Sequence, residues 1–107
     1  LDDLDGPARR PRHSRSRTAV ADLRARRYAD SGATHVADLG CGLGLDSAAF
    51  ARVGLHVTAV ERDPLVAALA AANLTALGLA DRTEVLTGDV TDSAVLAQAL
   101  GRADAAY

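Results

Sequence analysis

A chain of 107 residues makes one domain at most, near the lower limit for an α/β fold with its own core. Its 49% apolar content holds one Phe, no Trp and no Met, so any core must close on Ala, Val and Leu. The formal charge of −2 hides an asymmetry: residues 1–27 carry eight Arg against four acids, residues 28–107 four Arg against ten. A basic lead of this kind suits a polyanionic partner such as RNA, or is a solvated extension. The single Cys41 excludes an internal disulfide and fits a reducing, cytoplasmic setting. No apolar run approaches the roughly 20 residues that span a bilayer, and no His/Cys/Asp cluster has metal-ligand spacing, so neither a membrane nor a metal is expected. The start, Leu1-Asp2-Asp3-Leu4, has neither an initiator Met nor a signal-peptide pattern and reads as part of a longer protein.

In chain order, residues 1–16 hold Gly6-Pro7, Arg10-Pro11 and Ser14-Arg15-Ser16 and read as a flexible Arg-rich arm. Helix formers then run from about Arg17 to Ser31, with Ser14 or Ser16 as a cap and Gly32 suited to the C′ position. Val20, Leu23 and Arg27 mark a narrow stripe that would lean on a sheet. His35–Leu39 is a predicted strand, Asp46 is placed to cap a helix to about Val53, and Gly54 ends it. His56–Val60 is a second strand closed by Glu61. Asp63-Pro64 opens a helix as cap and first helical residue, which runs to Gly78. Thr83–Thr87 is a third strand, Thr91 or Asp92 caps a last helix ending near Leu100, and Ala103–Tyr107 opens a fourth strand.

Strand and helix in strict alternation predict an α/β fold: a Rossmann-like, doubly wound parallel sheet, incomplete at three to four strands, preceded by an N-terminal helix. Residues 17–107 would be the N-terminal part of that domain. A piece ending at its fourth strand exposes a sheet flank, so self-association is expected.

Ligands of such sheets bind beyond the carboxyl ends of the strands. Gly40, Glu61 and Asp89 each lie just past such an end. The loop reads Asp38-Leu39-Gly40-Cys41-Gly42-Leu43-Gly44-Leu45-Asp46, a G-x-G-x-G spacing rather than the dinucleotide G-x-G-x-x-G. Asp38 would repel a pyrophosphate and attract an ammonium group. Glu61 can accept from two ribose hydroxyls, and Asp89 from an exocyclic amine such as that of adenine. Amino acid, ribose and adenine together describe S-adenosylmethionine. Two other readings stand beside it: an NAD(P)-binding oxidoreductase, which Asp38 and the G-x-G-x-G spacing oppose, and a non-catalytic nucleic-acid-binding module driven by residues 9–27.

Asp38-Leu39-Gly40-Cys41-Gly42-Leu43-Gly44, Val60-Glu61-Arg62-Asp63-Pro64 and Thr87-Gly88-Asp89-Val90 resemble the first three motifs of the class I S-adenosylmethionine-dependent methyltransferases, in order and spacing. More narrowly, the glycine loop with Asp46 and the run from Val60 into Ala71-Ala72-Asn73-Leu74 resemble the bacterial THUMP-like group, relatives of trimethylguanosine synthase. The resemblance implies that the backbone at Gly40, Cys41 and Gly42 passes the methionine portion, with Asp38 near its amino group. Asp46 would assist there or only cap its helix. Glu61 would hold the ribose, Arg62 would flank the adenine, and Asp89 would take its exocyclic amine with Val90 over the ring. Cys41 itself reads as a small buried residue, His35 and His56 as strand-edge residues, and Asn73 as a helix-surface residue. In this family the residues that address the acceptor follow the fourth strand, so no catalytic residue is assigned, RNA is the first guess for the acceptor, and the fragment alone is expected to be inactive.

Overall fold

The computed structural model describes residues 9–107, with side chains from Thr18 onward; the expectation for residues 1–8 lies outside the described residues. Its elements are α1 (Arg9–Asp30), β1 (His35–Leu39), α2 (Leu45–Arg52), β2 (His56–Glu61), α3 (Pro64–Ala76), a 3₁₀ turn (Ala80–Arg82), β3 (Thr83–Thr87), α4 (Ser93–Leu100) and β4 (Ala105–Ala106). The strands form one sheet of order β3-β2-β1-β4, and every pairing is parallel. The expected architecture is therefore present. The chain winds outward from β1 to β3, then returns across the sheet to place β4 on the other side of β1. That reversal puts the switch point, where such sheets bind ligands, beside the end of β1.

Local chemistry explains most boundaries. Asp63 caps α3 by accepting from the Leu65 and Val66 N–H groups at 2.9 and 3.4 Å, and Pro64 follows at the first helical position. Of the two candidate caps of α4, Asp92 serves, accepting from Ala94 N–H at 2.9 Å. Helix α1 closes at Gly32, whose φ of 93° is one that a side chain opposes.

Two expectations are corrected. Helix α1 begins at Arg9 rather than near Arg17, so neither Ser14 nor Ser16 stands at its start; Pro11 is tolerated because first-turn N–H groups have no helical partner to lose. Its packing face is also different. Val20 and Leu23 are 53% and 54% exposed, whereas Ala21 and Ala25 are buried and Tyr28 packs beside them. The helix leans on α2 through alanines, because small side chains let two helix backbones approach closely.

The core divides by strand parity. Val36, Val57, Ala59 and Val85 join Ala21, Ala25, Phe50 and Ala70 in one cluster under α1, α2 and α3. Ala37 and Val60 point the other way, to the face that α4 covers with Ala99. Phe50 anchors the first cluster, its ring 5.1 Å from that of Tyr28 and 5.4 Å from that of Tyr107 in tilted and edge arrangements.

Candidate functional site

The three strand ends beside the switch point are stitched together by backbone hydrogen bonds. Gly40 and Cys41 N–H both donate to the Val60 carbonyl, at 2.9 and 2.8 Å, and Gly88 N–H donates to that of Glu61 at 3.0 Å. The chain can fold back this sharply at Gly40 because its φ is 91°, in the left-handed region. At Gly88 the demand is one of space: a Cβ there would lie 2.9 Å from both γ-carbons of Val95, so α4 can sit down on this loop only over a glycine.

Above the stitched ends lies a cavity of about 340 Å³, within the range of small-molecule sites. It is lined by Gly40, Val60, Glu61 and Arg62 from the first two strand ends and by Gly88, Asp89, Val90 and Thr91 from the third. Five of the nine sequence-predicted residues are thus brought together here: Gly40, Glu61, Arg62, Asp89 and Val90.

Glu61 is the most constrained of them. Its Oε1 accepts from Gly42 N–H and its Oε2 from Asp63 N–H, both at 3.0 Å. The carboxylate is clamped between the glycine loop and the start of α3, yet each oxygen keeps a lone pair for a further donor. Asp89, half-buried, accepts through Oδ1 from Thr91 N–H at 2.9 Å and from the Thr91 hydroxyl at 2.8 Å. Those two bonds, the backbone one first, hold its carboxyl below the ordinary carboxylate range, so it is an ionised acceptor at neutral pH. Thr91 had been read only as a cap; the signal for its role is the Asp-x-Thr spacing of an Asx turn.

Asp38 does not line the cavity. It is 2% exposed and accepts from the Ser47 hydroxyl at 2.6 Å. Burial pushes its carboxyl up, the Ser47 bond partly opposes this, and the Asp46 charge adds to it. Ser47 was missed by the sequence reading, since nothing local marks a helix serine as the partner of a strand acid. Burial, followed by the charges of Asp38 and Glu61, likewise raises the Cys41 thiol to about 11, so Cys41 is a neutral packing group. Gly42 contributes its N–H to Glu61, and a Cβ at either Gly40 or Gly42 would project into open space.

Asp46 is not a cap. Gly44 occupies the N-cap position of α2 in a left-handed conformation, φ 90°, with no side-chain cap, and Asp46 lies in the first turn. There it pairs with Arg24 Nη1 at 3.2 Å and accepts from the Tyr107 hydroxyl at 3.3 Å. Asn73 also departs from expectation: instead of facing solvent alone, its amide donates to the Leu43 carbonyl at 3.0 Å and ties α3 to the glycine loop. A second hollow of about 440 Å³ lies beside it between α2 and α3, lined mainly by Leu43, Leu45, Ala48, Ala76 and Leu77, with Arg52 and Asn73 its polar groups. Among the described residues no group of three His, Cys, Asp or Glu could hold a metal, and no helix is long and apolar enough to cross a membrane.

A parallel α/β sheet with a glycine loop after β1, an acid at the end of β2 and another after β3 is an architecture of the Rossmann-like class. Comparison with known proteins narrows the class. Residues 4–101 match the family described as "Putative SAM-dependent methyltransferase", and the chain belongs to that family. The chain is 42% identical over 59 residues to the 23S rRNA (uracil(1939)-C(5))-methyltransferase of Acidithiobacillus ferrooxidans, a stretch covering 55% of this chain and 13% of that protein. Among solved structures, it is similar to an O-methyltransferase from Bacillus cereus in complex with S-adenosylhomocysteine (26% identity, TM-score 0.67, 75% of this chain, 38% of that one). It is also similar to the mitomycin 7-O-methyltransferase MmcR (43% identity, TM-score 0.59, 67% of this chain, 22% of that one). The chain thus spans well under half the length of each relative.

The cofactor of the family is S-adenosylmethionine. The residues present fit such a group: open space over Gly40 and Gly42, a clamped carboxylate with spare lone pairs at Glu61, and an ionised acceptor at Asp89. Family membership sets aside the nicotinamide alternative.

Proposed function

We propose that this chain is the donor-binding portion of a methyltransferase whose acceptor is an RNA. The observation that carries the donor reading is the Glu61 carboxylate, fixed by Gly42 and Asp63 and lining, with Asp89, a nucleoside-sized cavity. A carboxylate pre-oriented by two backbone donors loses little freedom when it takes two adjacent ribose hydroxyls. Asp38, at the end of β1 just before the glycine loop, takes the ammonium of the amino-acid tail, and the backbone of Gly40, Cys41 and Gly42 passes the methionine portion. Asp89 receives the exocyclic amine of the adenine; Arg62 and Val90 flank its ring.

S-adenosylmethionine supplies a methyl group already activated on a sulfonium. What remains for the protein is to hold that methyl in line with the acceptor atom and to keep water away. The residues described here hold the donor, and no general base is assigned among them. The fraction of each relative that the chain spans supports assigning the transfer itself to a longer protein.

Three features favour RNA: the similarity to an rRNA methyltransferase, the Arg-rich sequence of α1, and the resemblance of the Val60–Asn73 run to the THUMP-like group. The test is transfer of tritiated methyl from S-adenosylmethionine by the full-length protein. Label in total RNA, lost in Glu61→Ala, is expected; label only in a small phenolic acceptor would contradict the RNA reading and leave the donor reading intact.

A further inference from the structure

A zwitterionic tail needs a cation as well as an anion, and the residues assigned so far give the donor's carboxylate no partner. Four of the arginines are engaged or placed elsewhere. Arg52 pairs with Asp22, Arg82 donates to the Gly54 carbonyl and Arg102 pairs with Glu84, while Arg62 lines the cavity where the adenine is placed. Arg24 is different. It reaches from α1 to the first turn of α2, with Nη1 3.2 Å from Asp46 Oδ1, and the same nitrogen donates to the Tyr107 hydroxyl. Its guanidinium carbon stands 4.9 Å from the centre of the Tyr107 ring. This cluster belongs to the same end of the sheet as Asp38: Asp46 lies in the first turn of the helix that follows the glycine loop, and Leu39 N–H, next to Asp38 in β1, donates to the Tyr107 carbonyl at 3.0 Å.

We propose that Arg24 holds the carboxylate of the donor's amino-acid tail, as the cationic counterpart of Asp38. The assignment rests on the donor-binding reading above. A guanidinium carries five N–H donors in a planar fork, and both bonds seen here use Nη1, so Nη2 and Nε remain to receive a carboxylate side-on. Asp46 and the Tyr107 ring hold the fork in place beforehand, which removes the cost of ordering a long side chain on binding. The charges also balance. Asp38, Asp46 and Arg24 together carry one net negative charge when both acids are ionised, and the sulfonium donor carries one net positive charge.

Calorimetric titration with two ligands tests this. S-adenosylhomocysteine has the amino-acid tail; 5′-methylthioadenosine keeps the nucleoside and sulfur but lacks it. Arg24→Ala is expected to weaken S-adenosylhomocysteine about 30-fold and leave 5′-methylthioadenosine unchanged, as the loss of a charge-assisted pair requires. Arg24→Lys, a point charge without the fork, should recover part of the loss. An equal loss for both ligands would show that Arg24 only docks α1, and unchanged affinity for S-adenosylhomocysteine would remove it from the site; either result overturns the assignment. A wild-type protein that binds neither ligand would overturn the donor reading itself, which separates the two failures.

Discussion

The two ends of the sheet are built from similar residues and do opposite things with them. At the amino end, Asp104 accepts from Thr34 N–H, the Thr34 hydroxyl and His35 N–H at 2.7–3.1 Å, His35 Nε2 meets the Thr58 hydroxyl at 2.8 Å, and Arg102 pairs with Glu84. Polar groups there satisfy one another, and the hollow that His35, Thr58, Glu84 and Arg102 help to line measures only about 140 Å³. At the carboxyl end each acid takes one or two internal donors and stops. Glu61 and Asp89 are oriented by their partners without being exhausted by them, and they face about 340 Å³ of open cavity. Residue type does not distinguish the two ends; unused hydrogen-bonding capacity does.

The contrast can be tested by removing one acid from each place. Glu61→Ala has the largest expected effect, about a 100-fold loss of S-adenosylhomocysteine affinity, since it deletes two hydrogen bonds to a charged acceptor. A loss under threefold would mean that the clamped carboxylate serves only the loop.

Asp38→Asn comes next, with about a tenfold weakening from the lost interaction with the ammonium group. Its effect on stability runs the other way. Burial raises the Asp38 carboxyl in the folded state, so the folded protein holds that proton to higher pH than the unfolded chain. The group's contribution is therefore full below its unfolded pKa and lost as pH rises through the folded one. An uncharged amide removes that loss, so the variant should melt no lower than wild type at pH 7 while binding less well. Thermal melts across pH 4–8 check this, and a variant that melts much lower would place Asp38 in the scaffold alone.

Asp104→Ala, at the amino end, has the smallest expected effect on the ligand: none. It should lower the melting temperature, because Asp104 ties the start of β1 to the turn into β4. The hydrogen bond from the Thr34 side chain, followed by those of the backbone, depresses its carboxyl. Its contribution is thus present above the unfolded carboxylate value and lost as pH falls through the lower folded one. Wild type and variant should converge in stability in strong acid, and a change in S-adenosylhomocysteine affinity would blur the distinction between the two ends.

Much of this was legible in the sequence, and the legible parts share a cause. Bounds for β1 and β3, the Asp63-Pro64 start of α3 and the Gly32, Gly54 and Gly78 stops follow from backbone preferences within a few residues. The convergence of Gly40, Glu61 and Asp89 followed from topology, since each lies at or just past the carboxyl end of a parallel strand. What stayed hidden depends on contacts distant in the chain. Arg24 meets Tyr107 across 83 positions, and Asp38 takes its partner from the next helix. The packing face of α1 was misread because Val20 and Leu23 outrank alanine in hydrophobicity, while close helix packing against α2 selects for smallness. Asp46 was misplaced because a left-handed Gly44 can open a helix with no side-chain cap at all.

The central claim is that the carboxyl end of this sheet takes the methyl donor. Calorimetric titration of the folded protein with S-adenosylhomocysteine, and with NAD in parallel, addresses it directly. One saturable site for S-adenosylhomocysteine, absent for NAD and lost in Glu61→Ala, is the predicted result. A folded protein that gives no heat with S-adenosylhomocysteine, or that binds NAD in its place, would contradict it.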